Sequence, residues 1–498
     1  MAAQRETLQD PTVAHTIHGT LRGTTEGGVH VWRGVEYAEQ PVGERRFLAP
    51  TPPLPWSGIR EATEHGALPP QGRSFVGGGR DDPKIRDEAC LTLTVWSPAP
   101  PATGAPKPVM VWIPGGAFVY GAGQLQLYNG SRLAANGDVV VVNVTYRLGV
   151  FGGFELGDLG PGFDDNLALR DQVAALRWVR ENIASFGGDP HHVTVFGESA
   201  GATSVLALLA SPLADGLFSR AIAQSPALPL IADRETRARQ AATFVERLGV
   251  PVEEVKSLPQ RRLRRAAGRL QGESAAQTPT LAYGLTHGVD SLPRHPVDAA
   301  RHGLVSSVPL IVGTNSHEAS MFAWGKPPML PTTEAMVEDF FARTAPHARD
   351  RLLAAYPDFP RRRALIAFGS DAMFGAPTWA FADAYSAHAP TYVYRFDHAA
   401  WSLRLLGLGA THGSEIVHVQ HSYGSYLGRK MHPLGRRVQP SVGRRMQRTW
   451  LDFSTAELDE DWPRYDAVAR RTRVIRSTRD DTVADPDAVR RAAWEGLY

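Results

Sequence analysis

The sequence predicts an α/β architecture, a central, mostly parallel twisted sheet flanked by helices. Three observations carry this. Apolar, β-branched runs at 109–113 and 139–144 lack the in–out alternation of a half-covered strand, as strands buried on both faces do. Segments of helical period lie between such runs. The stretch from 192 to 224 then repeats strand, helix, strand, the rhythm of right-handed crossovers between parallel strands.

Taken in order, proline-rich connections fall at 50–55 and 99–108, the second leading into the strand at 109–113. Leu169, Val173, Leu176 and Ile183 lie on one face of a helix that should stop near Gly187 and Gly188. A strand over 192–196, a helix over 200–209 stopped by Pro212, and a strand over 220–224 follow. Two segments, polar and Arg-rich at about 232–289 and aromatic-flecked at about 327–390, read as helical insertions forming a cap over the active site. The chain returns from them through strands at 308–313 and 391–396. Residues 1–498 are expected to make one domain with these two insertions. The run Arg261-Arg262-Leu263-Arg264-Arg265 has no interleaved aromatics, so it reads as a solvated helix face and not as a nucleic-acid surface.

Composition narrows the function classes. Among 498 residues, 53 Lys and Arg against 51 Asp and Glu leave a net charge of +2, which argues against a general polyanion binder. An apolar content of 43% argues against wholesale disorder. One cysteine closes no internal disulfide. The first residues lack the apolar centre of a signal peptide, and no run approaches the ~18 apolar residues of a membrane span. The expectation is a cytoplasmic protein, a monomer or small homo-oligomer, with no nucleic-acid or membrane partner.

The chemistry-bearing signal is Gly197-Glu198-Ser199-Ala200-Gly201, a G-x-S-x-G pentapeptide between an apolar strand and a helix. Its glycines suit a strained turn that lifts the Ser199 hydroxyl above the sheet edge, with the N–H of Ala200 at the helix start aimed at a developing oxyanion. Upstream, Trp112-Ile113-Pro114-Gly115-Gly116-Ala117-Phe118 follows a strand and fits the glycine-rich loop that supplies further backbone donors. Gly116 and Ala117 are the expected donors, and Gly115 allows the bend. In α/β-hydrolases the order is serine, acid, histidine. Glu318 and His412 lie beyond the ends of two later strands, where they can meet Ser199 as acid and base. Asp397 and Asp290 are poorer acids by position, and His317 should point away. His398, His418 and His421 read as surface or core-edge residues. The His412-x-x-Glu415 spacing would suit a metal pair, yet no third ligand is apparent, so neither metal nor cofactor is expected.

At these motifs the sequence resembles the type-B carboxylesterase family, which includes cholinesterases and bacterial para-nitrobenzyl esterases. Further matches are Gly34-Val35-Glu36-Tyr37-Ala38, Pro41-Val42-Gly43, Arg46-Phe47, Pro55-Trp56, Glu88-Ala89-Cys90-Leu91-Thr92-Leu93, Tyr146-Arg147-Leu148-Gly149, Phe186-Gly187-Gly188-Asp189-Pro190, Trp450-x-x-Phe453 and Trp462-Pro463-x-Tyr465. They run in the family's order over nearly the whole chain. The resemblance implies an α/β-hydrolase fold and ester hydrolysis with Ser199, Glu318 and His412. It also implies supporting roles for Glu198 and Ser225, an ion pair between Glu88 and Arg147, and a free buried thiol at Cys90. Pro114 and His317-Glu318-Ala319 depart from the family's H-G-G or G-G-G and D-E-G, without removing a catalytic atom.

The expected activity is a serine carboxylesterase acting on a small-molecule ester through an acyl-enzyme. The same atoms would serve amide, carbamate or thioester bonds. A non-catalytic binding relative would have lost the nucleophile, whereas Ser199, Glu318 and His412 are all present. Phe118, Met321, Phe322, Phe374 and Trp401 are candidates for an apolar substrate pocket.

Overall fold

The valine-rich runs form the middle of an eleven-stranded sheet. The computed structural model describes residues 10–72, 85–99, 105–277, 282–325, 329–433, 440–456, 458 and 461–498. Parts of the connection expected at 99–108 and of both insertions lie outside the described residues. The strands are β1 (Thr24–Glu26), β2 (Val29–Glu36), β3 (Thr92–Pro98), β4 (Lys107–Ile113), β5 (Val140–Thr145), β6 (Gly188–Glu198), β7 (Arg220–Gln224), β8 (Leu310–Asn315), β9 (Thr391–Phe396), β10 (Arg471–Ile475) and β11 (Asp480–Ala484). Their order across the sheet is β11-β10-β9-β8-β7-β6-β4-β5-β3-β2-β1. From β10 across to β5 the pairings are parallel, and the two edges are antiparallel.

Alternation inside the parallel strands divides the core into two layers. Val109, Val111 and Ile113 join one buried cluster, while Met110 and Trp112 join the other. On the first layer lie α1 (Leu167–Asn182) and α2 (Ala200–Leu209), with Leu169, Val173 and Leu176 buried. On the second lies α9 (Ser441–Thr455), through Val442, Met446, Trp450 and Phe453. The helix expected to end near Gly187 stops at Asn182 and tightens into a 3-10 turn, Ile183–Phe186, before Gly187 takes a left-handed φ of 83°. The antiparallel strands β2 and β3 have no counterpart in the sequence reading.

The first insertion contains α3 (Arg234–Leu248) and α4 (Gln260–Gln277), framed by short parallel strands Ile231–Asp233 and Leu285–His287. On α4, Leu263 and Ala267 are buried while Arg261, Arg262 and Arg265 are exposed, the solvated face that was expected. The second insertion contains α5 (Arg362–Ser370), a π-helical turn Asp371–Gly375, and α6 (Ala376–Tyr385). Beyond β9 come three short helices, Trp401–Leu405, α7 (Ile416–Val419) and α8 (Tyr426–Met431). Among the described residues, no helix is long and apolar enough to cross a membrane.

Cys90 is a free, buried thiol, as expected. The ion pair implied between Glu88 and Arg147 does not form. Arg147 instead grips Asp171 of α1 at 2.6 and 2.8 Å, both side chains buried, while Glu88 accepts two 2.6 Å bonds from Arg46. Each carboxylate takes the guanidinium whose fork it faces squarely. The Arg147–Asp171 bond ties the exit of β5 to α1, and losing one partner of such a buried pair typically costs about 3–5 kcal/mol.

Candidate active site

Strand β6 ends at Glu198 and α2 begins at Ala200, so Ser199 is the whole turn between them. Its φ of 57° and ψ of −125° are strained for a residue with a Cβ, at a cost of about 1–3 kcal/mol. A Cβ on Gly201 would sit 2.0 Å from the carbonyl oxygen of Ile113, and one on Gly197 2.7 Å from the same atom. Only glycine lets β4, β6 and α2 converge there. The Ser199 N–H donates to Gln224 O at 2.8 Å, which registers the turn against β7.

The glycine-rich loop after β4 closes over this turn. A Cβ on Gly115 would lie 2.4 Å from Glu198 O and 3.0 Å from Ser199 Cβ. Gly116 has a φ of 118°, and a Cβ there would meet Tyr120 O at 2.2 Å. Ala117 and Phe118 are both left-handed, at 55° and 57°. Such a conformation needs fixing, and several bonds do so. Val119 and Tyr120 donate to Gly116 O at 3.0 and 2.9 Å, and Gly149 donates to Phe118 O at 2.7 Å. The Tyr146 hydroxyl donates to Pro114 O at 2.7 Å, while the Gln71 amide both donates to and accepts from the Gly121 backbone. Gln71, Tyr146 and Gly149 carry no local signal for this role. The N–H groups of Gly116, Ala117 and Ala200 meet no protein acceptor among the described residues, which leaves them available to an external one. Gly116→Pro should lower kcat by at least about 10²–10³-fold, because it deletes one such donor and, at a φ of 118° with Tyr120 O in the way, also distorts the loop. Pro114→His, which changes a side chain and spares the carbonyl bonded by Tyr146, should stay within a few-fold of the parent by about 1 kcal/mol or less. Steady-state kinetics on one ester compares the two, and equal losses would contradict this account of the loop.

Glu318 and His412 meet as the strand order anticipates. Glu318 follows β8, accepts the Asn315 N–H at Oε1 (2.7 Å), and at Oε2 faces His412 Nδ1 at 2.7 Å. Both side chains are buried. His412 Nε2 lies 3.2 Å from Glu198 Oε1, close enough to pair as ions but not aligned as a hydrogen bond. Among the described residues Ser199 Oγ makes no hydrogen bond to His412; such bonds commonly tighten only with substrate in place. Phe322 and Phe374 cover the imidazole, with centroids 5.3 and 4.5 Å from it. Of the rivals, Asp397 is occupied by Arg395 at 2.8 and 2.9 Å, Asp290 is exposed, and His317 bonds Ser316 and packs by Gly409.

The imidazole is ringed by more negative charge than the sequence suggested. Burial alone would lower the His412 pKa, but Glu198 and Glu318 outweigh it and hold the value above an ordinary histidine's. Glu198 is pushed up by its own burial, opposed by His412 and reinforced by Glu415 and Glu318. Glu415 is fully buried, bonded by Asn315 Nδ2 at 2.5 Å and by Gln224 Nε2 at 3.3 Å. Through Asn315, whose own N–H bonds Glu318, it is tied to the same network. Ser225 is buried beside the elbow with a φ of 51°, and its N–H donates to Gly313 O at 2.7 Å.

The five pocket candidates separate. Phe322 and Phe374 touch His412, and Met321 donates its N–H to Thr411 Oγ1 at 3.1 Å on the same segment. Phe118 is fully buried in the first core layer. Trp401 is 56% exposed at the start of a short helix beyond β9, so it lies on the surface instead of lining a buried pocket.

Known proteins resemble this chain over most of its length. A model of the Carboxylesterase family matches residues 9–488. The para-nitrobenzyl esterase of Bacillus subtilis is 38% identical over 391 residues, covering 77% of this chain and 78% of its own. A cocaine esterase of Oryctolagus cuniculus is 35% identical over 92% of this chain and 91% of its own. Among solved structures, a PNB esterase superposes with a TM-score of 0.88 at 34% identity over 97% and 99% of the two chains. A Geobacillus stearothermophilus carboxylesterase gives 0.82 at 36% identity over 97% and 100%.

Proposed function

The chain belongs to the carboxylesterase family and hydrolyses carboxylic esters, and from this premise we propose that Ser199, Glu318 and His412 carry the reaction through an acyl-enzyme. The observation that best supports the assignment is the 2.7 Å contact of His412 Nδ1 with Glu318, with Nε2 left on the side of the elbow. His412 takes the Ser199 proton as Oγ attacks the ester carbonyl, and returns it to the departing alcohol. Water then repeats the sequence on the acyl-enzyme. Glu318 fixes the tautomer and offsets the imidazolium charge. Gly116, Ala117 and Ala200 donate to the oxyanion. Phe322 and Phe374 keep water off one side of the imidazole and favour a small ester with an apolar portion.

The test combines substrate and pH. Para-nitrophenyl esters of graded acyl length should be hydrolysed well ahead of the matching anilides, with kcat/KM rising with pH through one ionisation. The base must be neutral to accept a proton, and nearby carboxylates raise its pKa, so the midpoint should lie above the ~6.5 of an unperturbed histidine. Glu198→Gln removes one of those charges and should move the midpoint to lower pH. Anilides hydrolysed faster than esters, or a midpoint unmoved by Glu198→Gln, would count against the assignment.

A further inference from the structure

Three histidines distant in sequence meet beside the segment that carries His412. His398 follows β9, His418 lies in α7, and His432 closes the C-terminal end of α8. One ring nitrogen of each lies within 4.8 Å of the other two, the one such group of three among the described residues. His398 is half-buried, at the core edge as read, whereas His418 and His421 are buried, which corrects their reading as surface or core-edge residues; His432 is buried as well. The His418 ring stands nearly perpendicular to both neighbours, at 76° to His398 and 78° to His432, with centroids 5.0 and 4.7 Å away.

The hydrogen bonds around the cluster select the nitrogens that face inward. His398 Nδ1 is held by Ser477 Oγ at 2.8 Å, and His418 Nδ1 by the Tyr423 hydroxyl at 2.9 Å. That leaves Nε2 of each ring for another partner. Nε2 of His398 and Nε2 of His432 are buried and meet none among the described residues. An unsatisfied buried polar atom is costly, and two beside one another call for a shared partner. Where Nδ1 of His398 and of His418 carries the proton toward its oxygen partner, Nε2 of each presents a lone pair, and a cation can take these together with a ring nitrogen of His432.

We infer that His398, His418 and His432 form a binding site for a divalent transition metal, with Zn²⁺ the best match. Neutral imidazoles without a carboxylate suit zinc, copper or nickel and not calcium or magnesium. Zinc bonds of ~2.0–2.1 Å in a tetrahedron set ligand nitrogens about 3.4 Å apart. Nitrogens already within 4.8 Å reach that spacing by small ring rotations. Ser477 and Tyr423 occupy the outer nitrogens, as partners of metal-bound histidines do. A fourth position remains for water. The ligands come from both ends of the segment 399–417 and from α8, so the ion would pin the stretch that presents His412 and Glu415 without entering the ester chemistry. This inference does not rest on the proposed acyl-enzyme.

The test uses the full chain, free of any tag and stripped by chelator. Titration with Zn²⁺ followed by calorimetry and thermal melting should show one equivalent bound per chain and a higher Tm. Co²⁺ should give the intense visible spectrum of a four-coordinate site. His398→Ala and His432→Ala should each weaken Zn²⁺ binding by at least 100-fold, and Tyr423→Phe, which removes an outer partner, by about 10–100-fold. Absence of stoichiometric binding, a pale six-coordinate Co²⁺ spectrum, or undiminished affinity in these variants would overturn the site. If an alanine variant does not fold, Tyr423→Phe and the parent's Co²⁺ spectrum still decide.

Discussion

Replacing Ser199 with alanine should lower kcat by about 10⁴-fold or more while leaving the fold and ester binding in place. The turn is imposed by Gly197, Gly201 and the bond from residue 199's N–H to Gln224 O, none of which the substitution touches. The oxyanion donors also survive, so a small residual rate over water is expected. A fluorophosphonate probe should label the parent on Ser199 and leave the variant unlabelled. A variant that kept more than a small fraction of activity, or still took the probe, would show that another side chain is the nucleophile.

Glu318→Gln should cost nearly as much, about 10⁴-fold in kcat. An amide in place of the carboxylate can turn its NH₂ toward His412 Nδ1 and so present the wrong tautomer to the serine. Asp397→Asn is the matched control. Its carboxylate is engaged by Arg395 at 2.8 and 2.9 Å, so its loss should act on local stability with little effect on kcat. Single-turnover kinetics of the two variants separates them, and a larger kcat loss at Asp397 would mean that the acid has been misplaced.

How much of this was legible depended on distance along the chain. The strand before Ser199, the helix after it and the flanking glycines are one continuous signal, and α2 and β7 begin and end where the sequence puts them. Glu318 and His412 were reachable because each follows a strand whose apolar run is itself local. The rest is set by contacts between distant segments. Nothing near Gln71 signals that its amide braces Gly121, and nothing near Glu198 reveals that β6 aims its carboxylate at His412. Glu88 and Arg147 were paired by resemblance, yet which of several nearby charges a guanidinium grips depends on side-chain direction, and Asp171 wins. Phe118 and Trp401 part, one into the core and one to the surface, for the same reason, since aromatic character does not tell which way a ring points. The histidine cluster is the extreme case, assembled from three elements with no spacing motif.

The backbone around Ser199 has a consequence for how this chain tolerates change. Ala117, Phe118, Ser199 and Ser225 all have positive φ without being glycine, and all four adjoin the elbow or its loop. Together they hold roughly 4–12 kcal/mol of unfavourable conformation, comparable with the whole 5–15 kcal/mol by which a domain is usually stable. The two-layered core must supply that difference, which leaves a narrow margin for drift. Substitutions far from the site, each harmless to chemistry, should exhaust it after only a few steps, so sequence variation among functional descendants should be concentrated on exposed surfaces such as the arginine face of α4. Selection for heat tolerance would have its easiest route in relaxing those four residues, and that route ends in a sturdier protein that turns over slowly.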